Sequence, residues 1–270
     1  MMEKTLGFLG YGNMGAAILE GLLELGVVAR DKVLIFDPSP ERIAAAASSD
    51  VRAASSATDL AAESDVLVLA VKPQIMDAAL GEIKADLKPG ALVISIAAGI
   101  TIDFIQARLG ADIRVIRVMP NTPYLVHAGA AGIAASDACD PEDRALANTL
   151  FASIGVAEEV AEEDMDAVTA LSGSGPAYFF RMVECLVEAA VAQGLERGVA
   201  EKLAGQTLYG AGKLLMESPD DAATLRAKVT SPGGTTAAAL AAFEAEGLPR
   251  VVSAAVDAAV QRGKELGAQG

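Results

Sequence analysis

Apolar positions along this chain follow two regimes that change near residue 164. In the first, short and nearly continuous apolar runs at 5–9, 32–36, 65–71, 91–96 and 113–118 alternate with segments whose apolar residues recur at helical spacing. Such runs suit strands buried on both faces of a parallel sheet, where helical crossovers cover each side. Two weaker runs, 128–135 and 155–160, extend the sheet edge, and the domain is expected to end at 163. Beyond it no strand pattern is found. Helices are predicted over about 176–193, 199–216, 220–229, 236–246 and 250–266, with stops at Pro219, Gly247 and Pro249, and the residues after Leu266 read as a frayed tail. In the first of these helices Arg181, Glu184 and Glu188 form one narrow polar stripe, while Phe179, Phe180, Met182, Val183, Leu186 and Val187 cover the rest. So narrow a stripe needs burial on most sides, more than a helical domain of this size supplies by itself, so a homodimer interface is expected, with a larger homo-oligomer left open.

A length of 270 residues suits two domains, 1–163 and 164–270. Hydrophobic residues make up 52% of the chain but aromatics only 4%, which favours alanine-rich helices over a β-sandwich. No run reaches the roughly 18 uncharged residues of a membrane helix, and the N-terminus leads into a strand with no basic leader, so a soluble cytoplasmic protein with no membrane partner is expected. A net charge of −15 repels a phosphate backbone and excludes nucleic acid as a partner, whereas N–H donors at contact distance still permit a small anion. Cys139, Cys185 and the single histidine, His127, lack metal-ligand spacing, so no metal site is expected.

Candidate chemistry begins with "GYGNMG" after the first apolar run and before a helical segment. Gly10 allows the tight turn, Gly12 lets a pyrophosphate approach the main chain, and Gly15 lets helix and strand pack closely; Tyr11, Asn13 and Met14 complete the turn. The first domain is therefore expected to be α/β, a Rossmann-type doubly wound, mostly parallel sheet holding a dinucleotide. Asp37 ends the second strand, where an acid can grip the ribose 2′-OH of NAD, yet Ser39 and Arg42 follow and suit the 2′-phosphate of NADP; the preference stays open. Ligands of such sheets lie beyond the carboxyl ends of the strands. That rule singles out Ala70, Val71, Lys72 and Pro73 after one strand, and Ala97, Ala98 and Gly99 after the next, where small residues leave room for a flat ring. "MPNTP" (119–123) is either a rigid turn or a ligand loop.

A second glycine turn, "TSPGGTT" (230–236), opens a late helix. Ser231, Gly233, Gly234, Thr235 and Thr236 bring exposed main-chain N–H groups, hydroxyls and a helix N-terminus, enough to hold a single carboxylate. "LSGSGPAY" (171–178) leads into the long apolar helix. Two-domain hydroxyacid dehydrogenases carry a lysine and an asparagine where this chain has Phe179 and Met182. Neither moves a proton. Carbonyl reduction leaves an alkoxide that needs a donor, whereas hydride addition to a protonated C=N gives an amine directly, so an imine is the better substrate.

The motifs "FLGYGNMG", "AVKP", "SIAAGI", "MPNTP", "LSGSGPAY" and "SPGGTT", in this order over nearly the whole chain, resemble the pyrroline-5-carboxylate reductase family. The resemblance implies reduction of the cyclic imino acid 1-pyrroline-5-carboxylate to L-proline, the last step of proline biosynthesis, by NADP in its reduced form, with NAD open because of Asp37. It further implies that the loop from Ser231 to Thr236 binds the substrate carboxylate, that the Thr236 hydroxyl acts near the ring nitrogen as the catalytic group, and that Glu162 approaches the ring amine. Two other readings stand beside it: a related hydroxyacid dehydrogenase, and a nucleotide-binding or scaffold protein without turnover.

Overall fold

The computed structural model describes residues 2–47 and 49–267. Its first part alternates strands and helices: β1 (Leu6–Leu9), α1 (Asn13–Glu24), β2 (Val33–Phe36), α2 (Pro40–Ala47), β3 (Arg52–Ala53), α3 (Ala57–Glu63), β4 (Val66–Leu69), α4 (Met76–Ile83), β5 (Leu92–Ser95) and α5 (Ile102–Leu109). It continues with β6 (Arg114–Met119), β7 (Gly129–Ala135), α6 (Pro141–Ala152), β8 (Gly155–Glu159) and the single turn α7 (Met165–Val168), which runs into a π-helical turn over Thr169–Gly173. The rest is helical: α8 (Gly175–Ala192), α9 (Arg197–Glu217), α10 (Ala222–Lys228), α11 (Thr235–Ala245) and α12 (Leu248–Gly267). Of the expected tail after Leu266, residues 268–270 lie outside the described residues.

One eight-stranded sheet runs in the order β3-β2-β1-β4-β5-β6-β7-β8. All neighbours are parallel except β6 and β7, which are antiparallel. Its central strands alternate between two apolar layers because successive side chains point to opposite faces. Leu6, Phe8, Val66, Val68, Leu92 and Ile94 pack on one side, and Leu9, Leu67, Leu69 and Val93 on the other. Both faces are covered, which is why these strands read as continuous apolar runs. The order changes direction between β1 and β4, and the strand ends there open onto a shared crevice.

The chain forms two compact units, residues up to Ser174 together with those from Ala258, and Gly175–Asp257. The first therefore passes the boundary expected at 163. Met165 and Ala170 are fully buried, and Val168 packs so closely on β7 that a Cβ on Gly132 would lie 2.8 Å from its Cγ1. The end of α12 returns to this unit: Gly263 lies against Asp166, and Leu266 and Gly267 against Gly99. In the second unit α8 packs on α9, yet Val187 and Ala200 are its only buried apolar residues among those described. Phe179, Phe180, Met182 and Leu186 on α8 are all at least 40% exposed. A helical unit with almost no interior of its own requires a partner surface.

Candidate active site

Two helices open directly from glycine turns with no side-chain cap, whereas α4 and α7, which also lack one, continue out of the short 3-10 turns at Pro73–Ile75 and Glu162–Asp164. The α3, α5, α6, α9 and α10 helices each have a side chain folded over first-turn amides, from Ser56, Thr101, Asp140, Glu196 and Asp221 respectively. The α1 and α11 helices begin after Gly12 and Gly234 and have no such cap. Their first-turn N–H groups have no intrahelical acceptor and are left for an anion.

At α1 the backbone makes a cradle. Gly10 has φ +97°, and a Cβ there would stand 2.8 Å from the Ala70 carbonyl oxygen, so only glycine lets β1 turn this tightly against the end of β4. Gly12 is open apart from the Arg42 guanidinium, and Gly15 is buried against the Gly10 carbonyl and the Ala70 side chain. A groove of about 680 Å³ follows from here along the strand ends. It is lined by Gly10, Gly12, Asn13 and Met14, by Asp37 and Arg42, by Ala70, Val71, Lys72 and Pro73, and by Ala97 and Ala98. Residues expected from four separate stretches of sequence thus share one crevice. Pro38, Ile75 and Ile96 also line it and were not anticipated. They are apolar residues next to anticipated ones, a signal too weak to separate from ordinary strand ends.

Four expected residues do not line the groove. Tyr11 is 4% exposed: its ring lies in the core, its hydroxyl bonds Glu20 at 3.2 Å, and only its backbone belongs to the turn. Burial and the Glu20 carboxylate push the Tyr11 phenol above its ordinary range, so it stays neutral. Gly15 serves packing, Ser39 acts through its N–H on Asp37, and Gly99 lies under the end of α12. Asp37 itself is 5% exposed and accepts the Tyr11 N–H at 2.8 Å, the Ser39 N–H at 2.9 Å and Arg42 Nη1 at 3.1 Å. Burial pushes its carboxyl up, but these three donors outweigh that and hold it below the usual carboxylate range.

The second uncapped terminus follows Ser231–Gly234. The Gly234 N–H bonds the Ser231 carbonyl at 3.0 Å, and Gly233 takes φ +70°, a turn that leaves Ser231, Pro232 and Gly233 exposed before Thr235 and Thr236 start α11. This arrangement suits one small acid group: two or three backbone N–H groups, nearby hydroxyls, and the positive end of an eleven-residue helix.

Glu162 stands elsewhere. Its Oε1 accepts the Ile102 N–H at 2.7 Å and Arg117 Nη1 at 3.3 Å, tying the start of α5 to a buried arginine of β6. It lines a separate cleft of about 440 Å³ that shares no residue with the dinucleotide groove. "MPNTP" is a tie as well. The Asn121 Oδ1 accepts the Ala130 N–H at 2.9 Å, and its Nδ2 donates to the Ser172 carbonyl at 3.0 Å, which holds the π-helical turn of "LSGSG". Sequence spacing gives no hint of this bridge, because Ser172 lies 51 residues along the chain from Asn121. No group of histidine, cysteine and acidic residues able to hold a metal is present among the described residues.

Known proteins resemble this chain over nearly its whole length. Residues 162–266 match the family model described as pyrroline-5-carboxylate reductase dimerisation, and residues 5–99 match that described as NADP oxidoreductase coenzyme F420-dependent. The pyrroline-5-carboxylate reductase of Escherichia coli is 40% identical over 98% of this chain and 99% of its own length, and that of Synechocystis is 42% identical with the same coverage. Among solved structures, a pyrroline-5-carboxylate reductase from Coxiella burnetii superposes with a TM-score of 0.94 at 36% identity, covering 98% of this chain and 99% of that one. A Plasmodium falciparum pyrroline carboxylate reductase with NADP bound gives 0.87 at 33% identity, covering 99% of both chains. With full-length relatives at this identity and a matching dimerisation region, the chain belongs to the pyrroline-5-carboxylate reductase family.

Proposed function

We propose that this protein reduces the C=N bond of 1-pyrroline-5-carboxylate to give L-proline, with NADP or NAD as the cofactor couple. The observation that carries the reading is the pair of uncapped helix N-termini, one beside a dinucleotide-sized groove and one behind an exposed Ser-Pro-Gly-Gly turn. When bound, the reduced nicotinamide supplies a hydride. The residues of this chain bind, orient and exclude. The α1 amides and Gly12 hold the pyrophosphate, and Ala97 and Ala98 leave space for the ring. The turn from Ser231 to Thr236 takes the substrate carboxylate, each charge-assisted hydrogen bond contributing about 1.5–3 kcal/mol. The Thr236 hydroxyl orients the ring nitrogen. A protonated C=N that accepts a hydride at carbon places the π electrons on nitrogen and keeps its proton, so no acid from the chain is consumed. Catalysis then rests on positioning, which supplies roughly 7–11 kcal/mol when donor and acceptor are held in contact.

The apolar surface of α8 and the dimerisation match support a homodimer. Further assembly into a larger homo-oligomer and a cytoplasmic setting complete the proposal; among the described residues no helix is long and apolar enough to cross a membrane. Steady-state reduction of pyrroline-5-carboxylate with each reduced cofactor tests the reaction. In Thr236→Ala turnover falls while cofactor affinity stays within about twofold; collapse of cofactor binding instead would show that the two sites are assigned the wrong way round.

A further inference from the structure

The loop from Ile96 to Thr101 joins β5 to α5, and its residues Ala97 and Ala98 line the dinucleotide groove. The bonds that close it locally are long: the Ala97 N–H meets Ser95 Oγ at 3.4 Å, and the Ile100 N–H meets the Ala97 carbonyl at 3.5 Å. Both lie at the outer limit of hydrogen-bond length. The firm contact is at the far end, where Glu162 Oε1, 60 residues along the chain, accepts the Ile102 N–H at 2.7 Å. The α5 helix does not need this carboxylate as its cap. Thr101 Oγ1 already accepts the Phe104 N–H at 3.1 Å, and the Thr101 carbonyl accepts that of Ile105 at 3.3 Å. Glu162 takes a further amide and is itself held by Arg117 Nη1 at 3.3 Å. Arg117 is 5% exposed, and Glu162 is its only bonded partner among the described residues. Drawing an ion pair this far from water is costly and seldom serves stability alone. Arg117 also pairs in register with Ser95, the residue from which the loop departs. Glu162 and Ile102 line the smaller cleft, so one loop carries the tie on one side and the groove on the other.

We infer that Glu162, braced by Arg117, is a positioning residue: it fixes the start of α5, and through it Ala97 and Ala98 beside the space for the nicotinamide ring, without touching the substrate. The inference rests on the groove assignment of the proposed function and deepens it. A displacement of about 1 Å between reacting partners costs up to about 100-fold in rate, so a loop with such long bonds of its own needs a fixed end.

Two substitutions in the full chain cut the same bond from opposite ends. Glu162→Ala removes the acceptor. Ile102→Pro removes the donor and leaves the Glu162–Arg117 pair in place; proline suits the first position of a helix, and Thr101 already has the extended backbone (φ −84°, ψ 161°) that a residue before proline requires. Steady-state reduction of pyrroline-5-carboxylate is expected to show kcat lowered about 10- to 100-fold in both variants, with KM for the imino acid within about twofold of wild type. Two readouts need no turnover. Calorimetry with ADP-ribose or 2′-phospho-ADP-ribose, whichever the wild type binds more tightly, should give a Kd within about twofold in each variant, because these fragments lack the nicotinamide. Amide exchange over residues 97–101 should quicken at least about tenfold. Glu162→Gln, whose amide oxygen can still accept the Ile102 N–H, should recover part of the loss. A KM raised about tenfold with kcat intact in Glu162→Ala would put Glu162 on the substrate and overturn the inference. So would an Ile102→Pro variant with the kcat of the wild type. Fragment binding that falls in step with kcat would reduce the tie to a structural one. A wild type that does not reduce pyrroline-5-carboxylate sinks the proposed reaction, and exchange then decides: unchanged exchange over 97–101 in both variants overturns the inference, whereas faster exchange with fragment binding intact sustains it.

Discussion

Asn121 offers the sharpest test of how the fold prepares the site. It is 8% exposed, and its amide joins β7 to the π-helical turn that precedes α8. The partners fix its orientation, since an N–H must meet Oδ1 and a carbonyl must meet Nδ2. Asn121→Ala leaves the Ala130 N–H and the Ser172 carbonyl without these partners. An unsatisfied buried group costs about 1–3 kcal/mol; both are partly exposed, so the lower half of that range applies to each and the sum is about 2–4 kcal/mol. For a chain of this size that lowers Tm by about 4–10 °C. Asn121→Asp keeps the acceptor for Ala130 but sets a carboxylate oxygen against the Ser172 carbonyl, so it is at least as destabilising at neutral pH. Acidification that protonates the new carboxyl restores a donor and recovers part of the loss. Thermal denaturation across pH, together with amide exchange at Ala130, measures both effects. The reasoning is refuted if Asn121→Ala melts within about 1 °C of the wild type, or if Asn121→Asp is as stable as the wild type at neutral pH.

Three more outcomes follow from the same structure. Gly10→Ala forces a side chain into φ +97° and within 2.8 Å of the Ala70 carbonyl, so it costs about 1–3 kcal/mol of stability and displaces the turn; cofactor binding by fluorescence titration should weaken more than tenfold. Phe180→Asp on the exposed face of α8 removes an apolar contact twice in a symmetric dimer, about 3–6 kcal/mol in all, so sedimentation should show a dimer dissociation constant raised by roughly 10²–10⁴. Asp37 and Asp65 both ionise below their ordinary range; burial opposes this at Asp37 but its N–H donors and Arg42 prevail, and Lys88 with the Thr5 N–H acts at Asp65. A depressed carboxyl stabilises the folded state above the unfolded value of about 4 and loses that contribution as pH falls through the folded value. Melting temperature should therefore be insensitive to both groups above about pH 5 and decline below about pH 4, with Asp37→Asn flattening the decline.

Much of the fold was legible because its elements announce themselves locally. The runs at 32–36 and 91–96 contain β2 and β5, and the helices expected at 176–193 and 236–246 match α8 and α11 to within one residue. The two-residue strand Arg52–Ala53 was not legible, since both residues are exposed and carry no pattern. Nor was the reversed direction of β7, which depends on the connection from β6 and not on apolar periodicity. The same limit applies at the site. Glycines 10, 12, 233 and 234 could be read from the sequence because their use follows from backbone chemistry. The three donors on Asp37, the inward ring of Tyr11 and the bridge made by Asn121 could not, because each depends on which partner the folded chain brings within about 3 Å. Glu162, expected from family resemblance at the ring amine, has one oxygen committed to Ile102 and Arg117, so any role beyond that tie falls to its other oxygen.

Label transfer tests the central claim most directly. Pyrroline-5-carboxylate is reduced with NADPH carrying deuterium at the transferable position, and the product is read by NMR. The account predicts L-proline with one deuterium on the former imine carbon, formed at a rate that Thr236→Ala depresses. Oxidation of the cofactor without label on that carbon, or no oxidation at all with this substrate, would contradict it.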